Sequence, residues 1–161
     1  MDRLIVGVTG ASGTPLACRF VNQLKEFTEC EVHVVASDSA RLTAQYEAPD
    51  AFKKMLSYAD VVHDNASIGE SIASGTFKTK GMVIIPCSMK TAAGIASGYS
   101  DNLVLRAADV TLKEQRPLVL VARETPMSPI HLRNLSTLAA LPSVSILPPM
   151  MTYYHCLLYT S

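Results

Sequence analysis

Several stretches place polar or charged residues just where an apolar run stops, and each could bind or act on an anion. The first is Thr9-Gly-Ala-Ser-Gly13, which follows Leu4–Val8. Its small residues let a ligand approach the backbone closely, and its N–H groups and the Ser12 hydroxyl, at the start of a helix, suit a phosphate. An ordinary tight turn between strand and helix explains the same residues. The glycines are Gly7, Gly10 and Gly13, so no GxGxxG can be written and the stretch is not a dinucleotide fingerprint. Ser37-Asp-Ser39 closes the second run and reads as a helix N-cap.

The third stretch, Ile84-Ile-Pro-Cys-Ser-Met-Lys-Thr91, offers two chemistries. Cys87 could be a nucleophile, because a helix N-terminus lowers a thiol pKa. It could equally be a small buried residue, with the amides of Ser88, Met89, Lys90 and Thr91 facing an anion. The second reading is preferred, because a nucleophilic cysteine needs a base at hand and sequence places none beside it. The fourth run delivers Arg123-Glu124-Thr-Pro126, a bidentate anion binder and a carboxylate at the same edge, or a surface ion pair. On a helix over Asn102–Glu114, Arg106, Asp109 and Lys113 share one face, which an exposed Asp109–Lys113 pair would support by only about 0.3–0.5 kcal/mol.

The elements that position these residues are legible from hydrophobic patterning. Apolar, β-branched runs at Leu4–Val8, Val32–Ala36, Met82–Ile85, Leu118–Val121 and Val144–Leu147 read as strands buried on both faces. Helical spacing occurs at Leu16–Phe27, Ser39–Glu47, Thr91–Ile95, Asn102–Glu114 and Pro129–Leu141. The alternation predicts an α/β fold, a parallel sheet flanked by helices. Ligands of such sheets bind outside the carboxyl ends of the strands, where all four stretches fall. The stretch from Tyr46 to Thr79 is less regular, with a weak helical pattern at Ala51–Tyr58 and a short strand at Asp60–His63. It reads as an elaborated crossover, not a second domain.

The 161 residues, with 48% hydrophobic content, suit one compact unit. Fourteen basic and fourteen acidic residues cancel, which leaves no overall field for nucleic acid or an anionic membrane. The four cysteines show no metal-ligand spacing, and their density is far below that of a disulfide-stapled domain. The four histidines are scattered, without HxH or HxxxH, and read as structural or surface residues. Nothing at the N-terminus reads as a signal peptide or membrane span, so reduced thiols in the cytoplasm are expected.

Taken together, TGASG, the serine after the second strand, SGTF, GMVIIPCSMKT, GYSDNLVLRAADVTLKEQRPLVLVARETPMSPIHL and LPPMMTYYH resemble the UbiX-type flavin prenyltransferases. That family includes the B subunits of non-oxidative aromatic acid decarboxylase systems. The resemblance runs from residue 4 to His155. It implies a Rossmann-like, flavodoxin-type three-layer fold, with residues 1–155 forming one FMN-binding domain. The implied activity is metal-independent transfer of a dimethylallyl group from dimethylallyl phosphate to atoms N5 and C6 of reduced FMN. The prenylated FMN would serve a UbiD-type decarboxylase. The implied assembly is a dodecamer built from trimers, with active sites at subunit boundaries.

The resemblance places Gly10, Ala11, Ser12, Ser37, Ser74, Ser88, Met89, Lys90, Thr91 and Arg123 at FMN. Arg106, Lys113, Glu124 and Tyr154 would hold or protonate the departing phosphate, and Glu47 with Ser12 would move protons. After His155 the pattern breaks. The family continues into a proline-bearing loop and a final helix with a further phosphate-binding arginine, whereas residues 156–161 read Cys-Leu-Leu-Tyr-Thr-Ser, an atypical, apparently truncated terminus. Two other readings share the fold. A flavin-dependent cysteine decarboxylase needs an early histidine base that the matching loop lacks, and a non-catalytic FMN-binding subunit would fit the missing arginine.

Overall fold

The computed structural model describes residues 2–150. Tyr154 and the atypical residues 156–161 lie outside the described residues. Six parallel strands form one sheet: β1 (Arg3–Val8), β2 (Glu31–Ala36), β3 (Val61–His63), β4 (Gly81–Cys87), β5 (Leu118–Ala122) and β6 (Val144–Ile146). Their spatial order is β3-β2-β1-β4-β5-β6. Without the three-residue edge strand β3, the remaining five stand in the 2-1-3-4-5 order of a flavodoxin-type sheet, whose direction of winding reverses between β1 and β4. The α/β expectation holds, and the short strand anticipated at Asp60–His63 forms as Val61–His63, at the edge of the sheet.

Six helices cover both faces: α1 (Thr14–Phe27), α2 (Asp38–Glu47), α3 (Pro49–Tyr58), α4 (Met89–Ser97), α5 (Leu103–Lys113) and α6 (Pro129–Ala139). Alternate residues of each strand point to opposite faces. Val6 and Val8 pack with Val32, Val34 and the buried side of α1–α3, whereas Ile5 and Val35 pack with Ile84, Leu120 and the buried side of α4–α6. Sandwiched in this way, the strands are apolar on both faces, which explains their near-continuous hydrophobic runs. The weak helical pattern at Ala51–Tyr58 becomes a full helix that begins at Pro49, a residue well suited to a first turn, and it buries Phe52 and Met55.

Two boundaries differ from expectation in ways that matter for the site. The strand expected to stop at Ile85 continues through Pro86 to Cys87, with a shift of pairing register between Ile84 and Cys87. Proline donates no ladder hydrogen bond, so a local irregularity accommodates it. The following helix starts at Met89, not Thr91, because Ser88 caps it.

Candidate functional site

Where the winding reverses, the loops after β1, β4 and β5 and the first turn of α6 enclose a cleft of ≈ 480 Å³. It is lined by Gly10, Ala11, Ser12, Ser88, Met89, Lys90, Arg123, Glu124 and His131. Three separate stretches of sequence thus meet at one sheet edge. Thr9 joins two of them: its buried hydroxyl donates to the Pro86 carbonyl at 2.7 Å and accepts from the Ser88 N–H at 2.8 Å. Nothing in the sequence singles Thr9 out, because its role depends on a loop seventy-nine residues away.

The start of α4 offers fewer donors than its four amides suggest. The Ser88 N–H is taken by Thr9, and the Thr91 N–H donates to Ser88 Oγ at 3.2 Å. The Ser88 hydroxyl donates in turn to Thr91 Oγ1 at 3.0 Å. Among the described residues, the N–H groups of Met89 and Lys90 have no partner and remain available at the positive end of the helix dipole. The Arg123 N–H donates to the Cys87 carbonyl at 3.1 Å, which fixes the β5 loop beside them. Cys87 itself is fully buried, and burial pushes its thiol up to about 12, only partly offset by a backbone hydrogen bond from Ala92. It is a packed, protonated thiol.

The β1–α1 loop is held by α2. A Cβ on Gly10 would lie 2.5 Å from Ser39 Cβ, so only glycine allows this approach, and Thr43 Oγ1 donates to the Gly10 carbonyl at 3.2 Å. Ser37 caps α2 by accepting from the Ala40 N–H at 3.1 Å, and it does not line the cleft. Gly13 stands at the N-cap of α1 with φ 125° and has no side chain to cap with. Glu47, at the end of α2, supplies the acceptor: its Oε2 takes the Gly13 and Thr14 N–H groups at 3.0 and 2.9 Å. Burial raises the Glu47 pKa, but these two bonds and the Ser12 and Thr14 hydroxyls outweigh it and leave it below the usual carboxylate range. Ser12 and Glu47 are therefore brought together, with Ser12 on the cleft side.

Other expected residues lie elsewhere. Arg106 and Lys113 sit on the outer face of α5, and Arg106 Nη1 faces Asp109 Oδ2 at 3.7 Å, in place of the anticipated Asp109–Lys113 pair. The Lys113 ammonium lies 3.8 Å from Glu114. Ser74 is exposed, with its hydroxyl 2.9 Å from that of Thr76. The next residue, Gly75, packs against the Glu114 side chain and accepts from Arg116 Nη2 at 2.7 Å. Ser74 and Lys113 thus share one patch near the start of β5, away from the cleft. His131, by contrast, lines the cleft although its isolated position in the sequence gave no signal.

A sheet edge offering two unpartnered amides, an arginine, a lysine and a glycine-walled loop fits a phosphate with a flat ring beside it, and so suits a mononucleotide cofactor such as FMN. The family model described as Flavoprotein matches residues 1–157. The chain is also 48% identical over 155 residues to the flavin prenyltransferase UbiX of Escherichia coli, covering 96% of this chain and 82% of that protein. The crystal structure of AnUbiX in complex with FMN and dimethylallyl pyrophosphate superposes with TM-score 0.88 at 42% identity, over 92% of this chain and 78% of that one. A dodecameric FMN-dependent UbiX-like decarboxylase from Escherichia coli gives TM-score 0.90 at 47% identity, over 98% and 86%. The chain belongs to the flavoprotein family and, within it, to the UbiX-like flavin prenyltransferases.

Proposed function

We propose that this chain joins the dimethylallyl group of dimethylallyl phosphate to N5 and C6 of reduced FMN, releasing phosphate. The observation that carries the reading is the cleft at the winding reversal, with its free Met89 and Lys90 amides, Arg123 and the Gly10-Ala11-Ser12 wall. It is joined by 48% identity to a flavin prenyltransferase. FMN supplies the nucleophilic ring atoms, and the chain's own residues supply everything else. The α4 amides, Lys90 and Arg123 neutralise phosphate charge, while the small side chains of the β1 loop let a planar ring lie against the backbone. Thr91 and Ser88 hold the shape of this cradle, and Ser37 fixes the neighbouring start of α2.

Departure of phosphate from an allylic carbon leaves charge on its oxygens, so cationic and protic groups aimed at them lower the barrier. Glu124 stands in the cleft for this role. Arg106 and Lys113, with Ser74 in the Lys113 patch, are exposed on this chain and act on the cleft of a neighbouring copy. A homo-oligomer, a dodecamer built from trimers, brings them together. Tyr154, which lies outside the described residues, completes the phosphate set. The Glu47 carboxylate, kept ionised by its N–H donors, accepts a proton relayed through Ser12 as the new ring closes.

The product serves a UbiD-type decarboxylase, and the protein acts in the cytoplasm. Among the described residues no helix is long and apolar enough to cross a membrane. Fluorescence titration tests the cofactor half of this reading. FMN binds stoichiometrically to each chain, and Arg123→Leu weakens it by a factor on the order of 10–100, the worth of a hydrogen bond to a charged group. Absence of saturable FMN binding by the unmodified protein would contradict the reading.

A further inference from the structure

His131 occupies the third position of α6 and closes a reciprocal cap with Ser128. The His131 N–H donates to Ser128 Oγ at 3.2 Å, and the Ser128 N–H donates to His131 Nδ1 at 3.1 Å. A nitrogen that accepts a hydrogen bond carries no proton, so this contact assigns the tautomer: Nδ1 is bare and Nε2 holds the hydrogen. The imidazole has its Nε2–H left to give.

Among the described residues no hydrogen bond reaches Nε2, and the ring lines the cleft alongside Arg123, Glu124, Ser12 and Lys90. With Lys90, Arg123 and the free α4 amides making this end of the cleft positive, the acceptor best suited to that N–H is an anionic oxygen. Glu124 is the one carboxylate among these lining residues, and its Oε1 already takes the Thr125 N–H at 3.1 Å.

We infer that His131 is a ligand-binding residue of the cleft, a donor whose Nε2–H is aimed by the α6 cap at a phosphate oxygen. This rests on the flavin prenyltransferase reading, and the phosphate is that of FMN or that of the dimethylallyl donor. Two substitutions separate the cap from the cleft. Asn at this position keeps an acceptor near Nδ1 for the Ser128 N–H but has nothing at Nε2. Gln is long enough to place an amide N–H near Nε2, and at this third helical position its carbonyl oxygen can also accept the Ser128 N–H.

The expected result is that His131→Asn keeps the thermal midpoint of the unmodified protein while losing about tenfold or more in one of two quantities, as removal of a hydrogen bond to a charged group predicts. FMN affinity measured without donor reports the flavin phosphate, and kcat/KM for dimethylallyl phosphate at saturating reduced FMN reports the donor phosphate. If His131→Asn also lowers the midpoint, His131→Gln decides: affinities nearer to the unmodified protein than those of the Asn variant support the assignment, and equal losses overturn it. Both quantities within about twofold of the unmodified protein in His131→Asn, a change too small for a lost charged hydrogen bond, overturn it as well. Either overturning result leaves FMN binding by the unmodified protein intact, so the underlying reading is tested separately.

Discussion

Cys87 shows how residue type alone can point to the wrong chemistry. A cysteine at the junction of strand and helix invites a nucleophilic reading, yet its thiol is fully buried and burial keeps it protonated. The charged work passes to its neighbours, the Met89 and Lys90 amides. Cys87→Ala therefore retains FMN binding and prenyl-flavin formation, with a stability loss of about 0.5–3 kcal/mol typical of a small core change. A variant that binds FMN but forms no product would restore the nucleophile. The identities of Gly10, Ser12, Lys90 and Arg123 were legible because each stands just after an apolar run. Thr9 and His131 were not, because a hydroxyl bridging two loops and a ring fixed by a cap are properties of distant or local geometry that composition does not carry.

At the scale of elements, the site depends on helix ends satisfied by side chains from elsewhere. A carboxylate at the end of α2 is badly placed for that helix's own dipole, but it is well placed for the start of α1, where Gly13 provides no cap. Because the folded pKa of Glu47 lies below its ordinary 4.5, its contribution to stability is fully present above that pH and is lost as pH falls through the lower folded value. Glu47→Gln flattens this acid limb in denaturation curves. In the proposed reaction it also slows product formation by a factor on the order of 10²–10⁴, while FMN still binds. An unchanged rate would remove the proton-relay role and leave the cap.

The β1–β3 side of the sheet carries a dependence of the same sign at higher pH. His33 is buried between His63, at 2.9 Å, and Glu31, at 3.0 Å, while Arg3 holds Glu31 at 2.9 Å and Glu70 lies 3.2 Å from His63. Burial lowers the His33 pKa below 6.5 more than the Glu31 bond raises it. The unfolded chain therefore takes up this proton first. Stability is fully present above about 6.5 and declines as pH falls through the folded value. His33→Gln reduces that decline, and equal slopes for both proteins between pH 7 and 5 would show that another group is responsible. The strand positions were legible from their apolar runs; this network was not, because it joins β1, β2, β3 and the following loop.

For the whole molecule, the sequence pattern was sufficient to set the layers and the parallel sheet, because strands buried on both faces leave continuous apolar runs. The pattern could not show which residues one chain brings together. The cleft gathers the loops after β1, β4 and β5, while Arg106, Lys113 and Ser74 stay on outward surfaces that await a neighbouring copy in the proposed assembly. The central claim, that this cleft prenylates a flavin, is tested most directly by mixing the protein anaerobically with reduced FMN and dimethylallyl phosphate and weighing the flavin by mass spectrometry. The account predicts a flavin heavier by one dimethylallyl unit, with phosphate released in equal amount. Recovery of FMN at its original mass, from protein shown to bind it, would contradict the account.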